Sequence, residues 1–281
     1  MRSHELAEAL GRPVASVHRV AGGDINEAWA VELEDGERLF VKARAKAAPD
    51  EYTAEESALA WLGATGVRVP RVIAATMRFL ALEWIDEGPL DDEALGRDLA
   101  ALHTAGAPAF GFTPHGGSVR LGGVELPGGD SDDWAAFYGR VWIAPLADRA
   151  FERGSLSREG RAAIERVCER MSDLAGPPED PARLHGDLWA GNVMAATDGR
   201  PVLIDPAAYG GHREVDLAML RLFGRISPAT LAAYEEGAPL AAGHEDRVQL
   251  YQLLPLLVHA VLFGGSYGAS AAQAARRYAG R

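Results

Sequence analysis

Two carboxylates and one amide stand at a spacing that suits phosphoryl transfer. The stretch His185-Gly186-Asp187-Leu188-Trp189-Ala190-Gly191-Asn192 keeps the D-x-x-x-x-N spacing of a kinase catalytic loop. Asp205 closes the short apolar run Pro201-Val202-Leu203-Ile204, where a metal-binding carboxylate is expected. A γ-phosphoryl group leaves ATP through a largely dissociative transition state, so positioning and charge neutralisation dominate its transfer. A carboxylate must meet the attacking hydroxyl, and Asp187 is placed for that. Asn192 and Asp205 supply an amide oxygen and a carboxylate, hard donors suited to Mg²⁺. Taken singly, Asp187 reads equally well as a loop acid and Asn192 as a turn residue. The combination of loop, strand and second acid is what points to a kinase of a small hydroxylated molecule.

Such a site needs elements that bring phosphates to it. Lys42 ends the apolar run Leu39-Phe40-Val41, read as a third strand after the hairpin signal Asp35-Gly36. In kinases a lysine there contacts the α- and β-phosphates and pairs with a helix glutamate. The next helix, about 52–62, carries Glu55 and Glu56, and Glu55 shares a face with Leu59 and Leu62. An acid on an apolar face needs a partner, and Lys42 is the obvious one. Between the strands at 14–20 and 28–33, Gly22-Gly23 forms a turn whose backbone N–H groups can approach phosphates closely. Runs at 67–73 and 79–85 complete an antiparallel sheet. Asp86-Glu87-Gly88-Pro89 then breaks the pattern. The boundary therefore divides a nucleotide-binding lobe, 1–85, from a catalytic and substrate lobe, 86–281. By analogy with this architecture, main-chain atoms of Glu83, Trp84 and Ile85 are candidates to hydrogen-bond adenine.

The second lobe reads as mostly helical. Leu95, Leu99 and Leu102 stripe a helix over 92–105, ended by a packed or capping His103. Residues 106–130 are rich in Gly and Pro, with a short hairpin at 119–121 and 124–126, and are long enough to serve as a substrate rim. Helices are expected over 132–150 and 157–175. Asp198-Gly199 turns between strands at 193–195 and 202–204. Asp216 can cap a helix over 217–223 or brace the catalytic-loop backbone. The chain from Pro228 on is helical, with Leu250 to Phe263 as core. The fold class is α+β.

Composition excludes other classes. The chain has 281 residues and a formal net charge of −12, which argues against nucleic acid as a partner. No apolar run is long enough to span a membrane, and the N-terminus MRSHELAEALGRP has no secretory apolar region. The one cysteine, Cys168, allows no disulfide within the chain and reads as a small core residue. A cytoplasmic monomer is expected.

The runs LHGDLWAGN, IDPAAYGGHREVDLAM and LYQLLPLLVHAVLFGGSYG resemble the fructosamine kinase, or ketosamine-3-kinase, family. The likeness extends from GGDINEAW at residue 22 to GGSYG at residue 264. H-G-D with a later Asp is shared with the wider group of aminoglycoside and choline kinases. The Trp189 form of the loop and the D-P-A-x-Y-G-x-H-R-E-x-D-L-A-M run are narrower. The resemblance implies a bilobal protein-kinase-like fold, with a small antiparallel-sheet lobe, a mostly helical lobe, and ATP-dependent phosphorylation of a ketosamine sugar hydroxyl in protein deglycation. It makes Asp187 the base, Asn192 and Asp205 the Mg²⁺ ligands, and Lys42 with Glu55 the ion pair behind the phosphates. It sets Trp189 near the sugar, or in the core beside the loop, and makes His212 and Glu214 weaker candidates for the substrate pocket or for bracing the metal loop. His185 and Asp216 give structural support.

The chain also departs from the family. Asp24 stands where some relatives carry Cys, which excludes an inter-subunit disulfide at that turn. The segment TPHGGSVRLGGVELPGGD, 113–130, lacks the family's usual pattern, so a different acceptor, such as an aminoglycoside or a choline-like amino alcohol, is the alternative. No A-P-E motif follows Asp205, against a phosphorylation-switched protein kinase. Intact Lys42, Asp187, Asn192 and Asp205 argue against a pseudokinase.

Overall fold

Alternation along Arg38-Leu39-Phe40-Val41-Lys42 organises the first part of the chain. In the computed structural model, which describes residues 3–20, 27–222, 224 and 226–280, strands β1 (Val14–Val20), β2 (Glu27–Leu33), β3 (Arg38–Ala43), β4 (Val72–Ala75) and β5 (Leu80–Glu83) form one antiparallel sheet. Their spatial order is β1-β2-β3-β5-β4. Successive side chains of a strand point to opposite faces. Leu39 and Val41 thus pack with Trp29, Val31, Phe79 and Leu6 of helix α1 (Ser3–Leu10). Phe40 and Lys42 take the other face, where Tyr52 and Leu59 of α2 (Glu51–Gly63) pack on Leu80 and Leu82.

The sheet ends differ from the sequence expectation. The run at 67–73 pairs only from Val72, because Pro70 has no N–H for a ladder. Val67 instead packs with Leu95 and Leu99 of the second lobe. The run at 79–85 leaves the ladder at Glu83, and Ile85 packs on Ala196 and Val202.

Beyond the sheet the chain is mostly helical. Helix α3 (Asp92–Thr104) is capped by Asp91, which accepts from Ala94 N, and it packs along α9 (Pro228–Gly237). A hairpin of β6 (Val119–Leu121) and β7 (Val124–Leu126) forms as expected. The helix expected at 132–150 is α4 (Trp134–Ala136), a π-helical stretch Phe137–Ile143, and α5 (Ala144–Glu152). Apolar spacing marks a helical rod but does not distinguish the wider π turn within it. The helix expected at 157–175 breaks at Arg170 into α6 (Arg158–Glu169) and α7 (Met171–Leu174). Strands β8 (Ala182–Leu184) and β11 (Tyr209–Gly211) pair with each other and were not foreseen, being too short for a period. Strands β9 (Val193–Ala195) and β10 (Pro201–Leu203) form the foreseen hairpin. Helix α8 (Glu214–Leu222) starts earlier than the expected 217. Helices α10 (His244–Tyr251), α11 (Leu253–Phe263) and α12 (Tyr267–Ala279) complete the lobe, with Leu253, Leu254 and Leu257 in its core. No helix among the described residues is long and apolar enough to cross a membrane.

Helix α2 belongs to both halves. Tyr52 and Leu59 face the sheet, while Ala58 and Leu62 join Leu95, Leu99, Leu188, Leu203 and Leu217 in a core cluster of the second lobe.

Candidate active site

Strand alternation aims Lys42 at α2, and helical spacing aims Glu55 back at it. Lys42 Nζ lies 2.6 Å from Glu55 Oε2 and 2.5 Å from Asp205 Oδ1. The Lys42 and Glu55 side chains are 6% and 13% exposed, and that of Asp205 is 45% exposed. Glu56 is exposed, so helical phase chooses between the adjacent acids. Burial works against the Lys42 charge, but Glu55 and Asp205 more than offset it and hold the ammonium above the ordinary lysine range.

The loop at His185 is braced from behind. Gly186 has φ +83°, and a Cβ there would lie 2.1 Å from Ala207 O, so glycine is required. Asp216 accepts from His185 N at 2.7 Å and Gly186 N at 3.0 Å. Its Oδ2 also lies 3.3 Å from His103 Nε2, and His103 Nδ1 lies 2.8 Å from the Tyr234 hydroxyl. Asp216 therefore sits inside α8 and braces the loop, and of the two roles left open, the cap is not the one it plays. His103 is packed, as read, but it is also a link in this network. The sequence signal for it was a histidine closing a helix with an apolar stripe. His185 Nε2 meets Ile204 O at 2.9 Å and its Nδ1 accepts from Asp187 N at 3.2 Å, which assigns the proton to Nε2. Burial pushes this imidazole below its ordinary value and keeps it neutral.

The front of the loop is less bonded. Asn192 Nδ2 donates to Asp187 O at 2.8 Å and to Asp187 Oδ2 at 3.2 Å. That leaves Asn192 Oδ1 free of both bonds. Burial and then the Asp205 charge push the Asp187 carboxyl up to about 7, with Asn192 acting in the other direction. Asp205 has φ +52°, the one non-glycine with a positive φ among the described residues. Such strain persists where surrounding structure over-determines it, commonly at functional sites. Here Ile204 N donates to Asn192 O at 3.0 Å and Ala207 N to His185 O at 3.0 Å, holding both flanks of the bend.

Asn192 Oδ1 and the Asp205 carboxylate fit Mg²⁺, which takes one or two carboxylates plus substrate phosphates rather than an all-protein cage. No group of three or more His, Cys, Asp or Glu that could hold a metal ion occurs among the described residues.

Other expected residues fall in three places. Trp189 is 40% exposed, which excludes the core reading. A Cβ on Gly191 would lie 2.1 Å from its ring, so the indole lies against the Gly191 backbone. His212 and Glu214 do not join Asp187. Glu214 is buried, with its oxygens 2.6 and 2.9 Å from Arg247. His212 is buried and stacks on Tyr251, with ring centroids 5.1 Å apart. Glu214 is committed to its ion pair with Arg247, whereas His212 Nε2 is buried without a hydrogen-bond partner, 3.8 Å from Glu179 Oε2. Glu83 receives Arg71 N at 3.1 Å and Arg68 Nη2 at 3.2 Å, and Arg38 lies 4.8 Å over the Trp84 ring. These contacts tie the Glu83 and Trp84 side chains to the sheet's end. Gly22 and Gly23 lie outside the described residues.

The fructosamine kinase family model matches residues 1–279. The chain belongs to the fructosamine kinase family. Among its curated relatives, a probable ketoamine kinase of Thermus thermophilus is 37% identical over 260 residues, 92% of this chain and 91% of that one. Another, of Enterococcus faecium, is 35% identical over 259 residues, covering 90% of this chain and 92% of that one. A solved Thermobifida fusca protein assigned as a fructosamine-3-kinase has 43% identity and a TM-score of 0.89, covering 98% of each chain. A choline kinase of Streptococcus pneumoniae has a TM-score of 0.64 at 17% identity over 97% of this chain and 95% of its own, which shows a shared fold. The family and these neighbours make the protein a kinase with the bilobal protein-kinase-like fold.

Proposed function

We propose that this kinase transfers the γ-phosphoryl group of ATP to a sugar hydroxyl of a ketosamine. The observation that carries it is the convergence of Lys42, Asp187, Asn192 and Asp205 at the lobe junction of a fructosamine kinase family chain. Its relatives in Enterococcus faecium and Thermus thermophilus are named probable ketoamine kinases. Asp187 receives the proton of the attacking hydroxyl as its oxygen bonds to phosphorus and ADP leaves. A carboxyl near 7 holds that proton well at neutral pH, the range in which a general base works best. Lys42, fixed by Glu55, faces the phosphates. Mg²⁺, held by Asn192 and Asp205, supplies charge neutralisation on the phosphates when bound. The exposed face of Trp189 stacks on sugar C–H groups. The backbone of Glu83 to Ile85 receives adenine. Phosphorylation destabilises the ketosamine and releases its amine, which is deglycation.

ATP consumption with Mg²⁺ and ribulosamine, erythrulosamine and fructosamine of lysine tests this, with an aminoglycoside and choline beside them. Turnover of a ketosamine is expected. Turnover only with the other acceptors moves the substrate assignment and leaves the nucleotide roles standing. MgATP binding with no turnover on any acceptor overturns the reading.

A further inference from the structure

The helix that carries Glu55 is held from the second lobe at both ends. At its C-terminal end, Arg183 Nη1 donates to Trp61 O at 2.7 Å, and the guanidinium lies 4.5 Å over the Trp61 ring. At its N-terminal end, Arg120 of β6 donates from Nη2 to both Asp50 oxygens, at 2.9 and 3.1 Å. Asp50 occupies the N-cap position of α2, yet its side chain makes no capping bond. An aspartate there ordinarily accepts from the first-turn N–H groups. Here the carboxylate is spent on a side chain from the other lobe instead.

Arg120 has an alternative on its own hairpin. Glu125 stands directly opposite it in the β6–β7 register, but its Oε1 is 3.7 Å from Nη2, farther than either Asp50 oxygen. The hairpin beneath is fixed, since Val119, Leu121, Val124 and Leu126 are buried in the second lobe's core. Arg120 therefore stands on a rigid base. It lies in the segment 113–130 that departs from the family pattern, and the residue it grips opens the helix whose Glu55 holds Lys42.

We propose that Arg120 and Asp50 are positioning residues that clamp the first turns of α2 to the second lobe and so keep Glu55 on Lys42. The clamp joins the β6–β7 hairpin of the second lobe to the ion pair behind the nucleotide. Its catalytic meaning rests on the kinase roles proposed above for Lys42 and Glu55. Ala58, Leu62 and Arg183 hold the rest of the helix, so the effect is confined to its start.

The test combines hydrogen exchange over residues 51–57, MgATP affinity, and steady-state kinetics. Arg120→Ala, Asp50→Ala, the double variant, Arg120→Lys and the exchanged pair Asp50→Arg/Arg120→Asp are compared. A part-exposed ion pair sets the scale at roughly two- to fivefold. Arg120→Ala is expected to speed exchange in those turns and weaken MgATP by about threefold, with the ATP KM rising and kcat falling. Asp50→Ala should match it, the double variant should lose no more than either single one, and the exchanged pair and Arg120→Lys should recover part of the loss. Unchanged exchange and nucleotide affinity, or losses that add in the double variant, overturn the clamp. Exchange and nucleotide binding need no acceptor, so failure on every ketosamine would defeat the proposed substrate while these readouts still decide the clamp.

Discussion

Asp187 and Asp216 serve the same short loop, one as part of it and one as its brace, and live under opposite conditions. Asp216 is 1% exposed, and its carboxylate receives two backbone N–H groups and approaches the His103 imidazole. Asp187 is half-buried, has one side-chain donor in Asn192, and faces the charge of Asp205. A carboxylate with its lone pairs occupied holds a backbone in shape. One largely removed from water, beside a like charge and short of donors keeps a proton affinity near neutrality, which is what a base needs. The buried network is rigid and complete, whereas the open one is incomplete in a way that phosphates and a hydroxyl can complete.

The largest effect should come from the open side. Asp187→Asn is expected to lower kcat by about 10³-fold or more while MgATP binding persists. Full turnover would remove the base assignment. The same substitution should raise stability. A carboxyl raised to about 7 contributes stability that is fully present below pH ~4 and is lost as pH rises through 7. The variant should therefore melt above the wild type at pH 8, and the gap should close in acid. In the wild-type enzyme, kcat/KM should rise with pH through about 7, as Asp187 loses its proton.

Asp216→Asn attacks the complete network. Its amide N–H₂ would oppose one of the two backbone donors, a loss of about 3 kcal/mol. Urea unfolding and kcat should fall together, with the ATP KM little changed. Intact stability with lost turnover would mean that Asp216 acts on the reaction directly.

A second buried group sharpens the contrast through pH. Burial pushes the His212 imidazole down to about 4, so it is neutral in the fold. A histidine with a depressed value contributes stability that is present above pH ~6.5 and lost as pH falls toward 4, about 3 kcal/mol in all. His212→Gln should flatten that part of the stability curve relative to the wild type. An unchanged slope would place the acid sensitivity elsewhere.

The smallest effect belongs to the exposed indole. Trp189→Ala should raise the acceptor KM about tenfold, the scale of one lost ring contact, with the ATP KM unchanged. A change in the ATP KM instead would place the ring against the nucleotide.

Much of this was legible beforehand because the signals are local. Asp35-Gly36, the Lys42 strand, the Glu55 face and the Asp198-Gly199 turn each follow from spacing over a few residues, and each element is present. The β8–β11 pair was missed because three-residue strands hold no period, and its partners lie far apart in sequence. His103 was read only as packed or capping, because its Asp216 contact spans 113 residues. Asp50 carries the strongest lesson. It stands at the N-cap of α2, yet a guanidinium from the other lobe takes its carboxylate as a charged partner.

The sequence by itself determined the reaction class and the fold class and offered candidate residues for the open site, since spacing and residue type are local properties that chemistry constrains directly. Only the tertiary structure decided which buried polar groups serve which partner. Asp216 went to the loop backbone, Glu214 to Arg247, His212 to a stack on Tyr251 and Asp50 to Arg120. A buried or bridging polar group takes the best donor or acceptor the whole fold brings near it. Which one that is depends on contacts between segments that no local pattern encodes.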